Sequence, residues 1–156
     1  MIGTTAQRVS FGAASAIVTS VGLITGFGAA GMSRTTLLAG LLILGLADNL
    51  TDSLSIHIYQ EAENLEQHAA FRATVGNFTT RLLISLSFVA VLVFAREMAL
   101  AVSLAWGVVL LVALTWFVAR TRKARVLPEV LRHLAVAAVV IAMSRAVGGI
   151  VGMYIK

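Results

Sequence analysis

The stretch Ala99-Leu-Ala-Val-Ser-Leu-Ala-Trp-Gly-Val-Val-Leu-Leu-Val-Ala-Leu-Thr-Trp-Phe-Val-Ala119 carries no charged residue and ends on the basic run Arg120-Thr-Arg-Lys-Ala-Arg125. An apolar run longer than ~18 residues reads as a membrane-spanning helix, because it matches the ~30 Å hydrocarbon thickness at ~1.5 Å per residue. Apolar residues do not alternate with polar ones along it, which excludes a β-barrel strand.

Working outward, breaking the remaining apolar runs at charges predicts five spans, about 10–30, 36–60, 79–95, 98–119 and 133–155, in one transmembrane domain covering 1–156. Composition agrees. Hydrophobic residues make up 59% and charged residues 12% of 156, against roughly 45–50% and 25% in soluble domains. The first run is longer and richer in Gly and Ser than a signal-peptide core, so it reads as a span. Pro128 followed by Glu129 suits the first turn of the last helix, where a missing N–H costs nothing and an anion is favoured. With no Cys, disulfides and thiolate metal sites are excluded.

The net charge of +5 points to topology rather than to nucleic acid, because the basic residues lie between apolar runs. Five spans put Arg8, Arg72, Arg81, Arg120, Arg122, Lys123, Arg125 and Arg132 on one side, against Arg34, Arg96 and Lys156 on the other. The positive-inside rule then predicts a cytoplasmic N-terminus, and in a bacterial cell the membrane would be the inner (plasma) membrane. The Arg120–Arg125 run reads first as a topology anchor and second as a contact for anionic lipid.

Chemistry concentrates in the second span. At 100° per residue, Asp48, Asp52, Ser55, Tyr59, Glu63 and Glu66 fall on one stripe roughly 80° wide and ~27 Å long. Intramembrane carboxylates are costly without a partner, a water path or a proton. Oxygen ligands repeated along one face would suit a divalent cation or a proton relay. Asp48, Asp52, Glu63 and Glu66 are therefore the candidate metal ligands. His57 and Glu61, one turn apart on the opposite face, form a possible secondary site. Arg145, the one basic residue deep in the last span, lies about as far from its helix end as Asp48 does, which predicts a buried Asp48–Arg145 ion pair. No phosphate loop, zinc-protease signature or nucleophile motif is present, so no enzyme activity is expected. Small residues spaced as Gly22-x-x-x-Gly26 and Gly148-x-x-x-Gly152 mark close helix contacts, and the first pair is the predicted surface of a homodimer.

Ser15-Ala-Ile-Val-Thr-Ser-Val-Gly-Leu-Ile-Thr-Gly-Phe-Gly-Ala-Ala30, followed by Ala39-Gly-Leu-Leu-Ile-Leu-Gly-Leu-Ala-Asp48 and Asp52-Ser-Leu-Ser55, resembles the first two helices of the vacuolar iron transporter family. Arg132-His-Leu-Ala-Val-Ala-Ala and the ending Gly148-Gly-Ile-Val-Gly152 are similar to its fifth helix. The resemblance implies a five-helix, N-in homodimer carrying Fe2+ or Mn2+, with proton coupling in many members. It also shows departures. Ser15 stands where the family carries a transport Asp, Ile56 replaces a Met and Gln60 replaces a Glu. The Glu-rich cytoplasmic insertion is reduced to about 20 residues holding Glu61, Glu63, Glu66 and His68.

Two expectations follow. The first is a divalent-cation transporter whose path is lined by the second helix, with Ser15, Thr19, Ser55 and Tyr59 supplying oxygens beside Asp52. The second is a non-transporting structural or assembly protein of the membrane that keeps the fold and has lost the metal site.

Overall fold

A computed structural model describes residues 5–62 and 67–154. The chain forms α1 (Thr5–Ala29), α2 (Arg34–Ala62), α3 (Gln67–Phe94), a 3-10 turn (Arg96–Met98), α4 (Ala99–Thr121) and α5 (Val126–Tyr154). All five α-helices are long and apolar enough to cross a membrane, an architecture consistent with an integral multi-pass membrane protein.

Two boundaries differ most from the expected spans. α3 starts at Gln67 instead of 79, and α5 at Val126 instead of 133. The hydropathy reading stopped at charged residues, but helices here continue through them because protein, not lipid, surrounds some of those positions. Arg81 is 2% exposed and Asn77 fully buried, both inside α3. Arg81 therefore belongs to the helix interior rather than to a connection. Pro128 and Glu129 do fall in the first turn of α5, where the first N–H groups have no intrahelical acceptor.

α1 packs against each of the other four helices. Half of its spanning window is buried, against 6% for α5, so α1 is the central helix and α5 the outermost. On α4 and α2 burial follows one stripe each. On α4 it is Ala99, Ser103, Gly107, Leu111, Thr115 and Ala119, and on α2 it is Leu41, Gly45, Asn49 and Ser53. These residues are mostly small or polar, while Leu46, Leu50, Val109, Phe117, Val139 and Met143 are exposed. That distribution would be unfavourable in water and is favourable in lipid, where helices associate through close backbone approach and interhelical hydrogen bonds.

The glycine motifs serve this packing. A Cβ on Gly148 would stand 1.9 Å from the Gly26 carbonyl oxygen, and one on Gly152 would meet Ala30 at 3.1 Å. Gly22 faces Val140 and Ser144. Gly22-x-x-x-Gly26 and Gly148-x-x-x-Gly152 therefore face each other across α1 and α5 of one chain, and Gly22, Gly26 and Gly148 also line an open groove with Thr19, Leu23 and Phe27 of α1 and Leu44 of α2.

Helix ends are closed locally. Gly31 takes φ +72 after α1, with Met32 N–H donating to Phe27 O at 3.0 Å and Gly31 N–H to Gly28 O at 3.1 Å. Lys123 adopts φ 53 at the same position after α4. Arg34, at the start of α2, donates through Nε to Leu92 O at 2.9 Å and through Nη2 to Leu92 O and Val93 O. A cation there satisfies the last carbonyls of α3 and opposes its dipole.

Candidate functional site

Asp48 and Asp52 stand one turn apart on α2, beside its buried stripe. The interior stripe of α3 passes opposite them through Ala73, Asn77, Arg81 and Ser85. Glycines allow the approach. A Cβ on Gly45 would come within 3.0 Å of the Ser85 Cβ, and one on Gly12 of α1 would overlap Asn77 Oδ1 at 1.9 Å.

Arg81 occupies the centre. Its Nη2 donates to Asp48 Oδ2, and its Nη1 forms an ion pair with Asp52 Oδ2 without hydrogen-bond alignment. The Arg81 side chain is 2% exposed and each carboxylate 34% exposed. One guanidinium thus bridges two carboxylates that would otherwise repel each other across a helical turn, leaving a net charge of about −1 on the group. Asn49 Nδ2 ties the same level of α2 to α3 by donating to Phe78 O at 2.8 Å. A cavity of about 10 Å3, lined by Ala16, Thr19, Leu44, Gly45, Asp48, Asn49, Arg81 and Ser85, has the size of a single water site. Asn49 Oδ1, Ser53 Oγ, Arg81 Nε and both side-chain polar atoms of Asn77 are buried without a hydrogen-bond partner among the described residues.

The expected ion pair is corrected here. Asp48 pairs with Arg81 of α3, and Arg145 is exposed on α5, outside any ion pair among the described residues. Equal distance from helix ends is necessary for a pair but not sufficient. α5 seats Ser144 and Gly148 against α1, which leaves Arg145 on another face, whereas α2 and α3 pack directly on each other.

Of the remaining stripe residues the structure describes Ser55 and Tyr59. Ser55 is exposed and its hydroxyl donates to Thr51 O at 2.9 Å. Tyr59 is 65% exposed. Thr19 borders the small cavity, and its hydroxyl donates to the α1 carbonyl of Ser15 at 2.9 Å. The half-buried Ser15 is not among the residues lining that cavity. Glu63 and Glu66 lie outside the described residues. His57 Nε2 and Glu61 Oε1 are 3.4 Å apart in a partly exposed pair. Among the described residues no group of three or more His, Asp and Glu side chains could hold a metal ion.

Hydropathy counts Arg81 with a cytoplasmic connection, whereas the structure buries it in the helix interior. Its signal was the four-residue repeat Ala73, Asn77, Arg81, Ser85 leading into Phe88 and Leu92, a continuous helical stripe that ran past the assigned end of the span. Comparison with family models, curated proteins and solved structures finds no match.

Proposed function

We propose that this chain is a non-transporting structural or assembly protein of the membrane, in which the acidic pair of α2 serves as a clamp between helices. The observation that carries the reading is the buried Arg81 guanidinium on both Asp48 and Asp52. A hard divalent cation needs about six oxygen ligands, and here a tethered cation already takes one oxygen of each carboxylate. Breaking such a buried pair is expensive, so entry of an ion would have to offset the loss.

A second reading is transport of Fe2+ or Mn2+, with or without protons. It is supported by the 34% exposure of both carboxylates and by the group's net negative charge, which would let an incoming cation compete with Arg81. Under both readings the N-terminus is cytoplasmic. Moving Arg81 into the helix interior leaves seven basic residues on that side against three, so the positive-inside bias keeps its direction. A homodimer, in this reading, forms along the first helix, where Gly22 and Gly26 line an open groove with Leu23 and Phe27.

Uptake of Mn2+ and Fe2+ into liposomes containing the purified protein separates the two readings. The clamp reading expects the rate of protein-free vesicles. Uptake above that rate which Asp52→Asn abolishes would establish the transport reading instead.

A further inference from the structure

The basic end of the α4–α5 hairpin is not used by the clamp. The apolar windows of both helices run to this end, through Thr121 on α4 and from Val126 on α5, so the connecting turn lies at a membrane surface. Around it stand Arg120, Arg122, Lys123, Arg125 and Arg132, against the single carboxylate Glu129. Glu129 pairs with Arg132 at 3.6 Å. The other four basic residues have no carboxylate within ion-pair distance among the described residues, and all four are exposed.

Two further features suit this end to a lipid rather than to a soluble anion alone. Arg120 sits 4.9 Å above the ring of Trp116, which is 48% exposed beside the 53% exposed Phe117. An indole carrying a cation on its face is an arrangement found at headgroup level, apolar ring toward the acyl chains and charge toward phosphate. The hairpin also encloses a cavity of about 70 Å3 lined by Thr115, Val118, Ala119, Arg122, Ala124, Glu129 and His133, several times the ~10–15 Å3 needed for one water. The Thr115 hydroxyl donates to Leu111 O at 2.7 Å. The 3.0 Å contact between Thr115 Oγ1 and His133 Nδ1 is therefore donated by the ring nitrogen, which fixes the imidazole at the cavity wall.

We infer that the α4–α5 hairpin is a binding site for the phosphate headgroup of an anionic phospholipid. Arg122 and the cavity receive the phosphate, Lys123 and Arg125 add charge at the rim, and Trp116 with Arg120 holds the acyl-chain side. A cluster of four or more basic residues directly flanking a span gives such selectivity by electrostatic attraction to acidic headgroups, worth about fivefold in affinity for each basic residue.

The test uses the full chain in detergent, titrated with phosphatidylglycerol or with phosphatidylcholine of the same acyl chains, and read by native mass spectrometry and by the shift in unfolding temperature. Phosphatidylglycerol is expected to bind and stabilise and phosphatidylcholine not to. Arg122→Gln and Arg125→Gln should each weaken phosphatidylglycerol binding about fivefold. Arg72→Gln, an exposed basic residue of α3 outside the hairpin, should leave it unchanged. Gel filtration of each variant reports that it remains folded. Equal response to the two lipids, undiminished binding by both hairpin variants, or an equal loss in Arg72→Gln would overturn the assignment. So would a full stabilising shift from inorganic phosphate alone, which would make the site one for a soluble anion.

Discussion

Neutralising both acids of the clamp, by Asp48→Asn with Asp52→Asn, should destabilise the protein more than removing the base between them. The Arg81 side chain is 2% exposed, so the double substitution strands a positive charge in the helix interior. Stranding one partner of a buried pair costs about 3–5 kcal/mol. Arg81→Gln leaves two like charges one turn apart, but each carboxylate is 34% exposed and water screens much of their repulsion. That cost is about 2 kcal/mol. Replacing all three groups together, with Arg81→Met, removes every ion and should return stability to within ~1 kcal/mol of the starting protein, since apolar or neutral replacements of a buried triad are often neutral. The effects are therefore strongly non-additive. At about 2–4 °C per kcal/mol for a chain of this length, the double Asn variant should unfold about 6–20 °C lower, and the triple variant close to the parent. Thermal unfolding in detergent, followed by helical circular dichroism, measures all of them. Additive losses in the triple variant, or an unchanged midpoint for the double Asn variant, would refute the clamp.

Gly148→Ala should cost about 1–3 kcal/mol, because its Cβ would overlap the Gly26 carbonyl of α1. Gly149→Ala, where nothing lies within 4 Å, should instead gain up to ~1 kcal/mol of helix propensity in the same thermal assay. Arg34→Gln should lower stability by about 1–2 kcal/mol through loss of the cation at the α3 C-terminus, and faster amide exchange confined to the last turn of α3 would locate the effect. A cysteine pair at Gly22 and Ser144, which meet across α1 and α5, should crosslink within one chain, and failure to do so in a folded variant would contradict the packing.

Hydropathy alone determined the number of helices, their order, and the small-residue character of α1 and α5, because the cost of exposing backbone or charge to hydrocarbon acts on each segment separately. It also identified Asp48 and Asp52 as groups in need of a partner. It could not determine which cation answers them. Arg145 and Arg81 are both basic, both within spans as folded, and distinguished only by which face α3 and α5 turn toward α2. That choice depends on interhelical fit: Gly45 against Ser85, Gly12 against Asn77, and Gly148 against Gly26. The same fit settled the use of the glycines, which a sequence marks as points of close approach without saying whether the approaching backbone belongs to the same chain. Periodicity reports that a face is special, and only the packing of one helix on another fixes what that face meets.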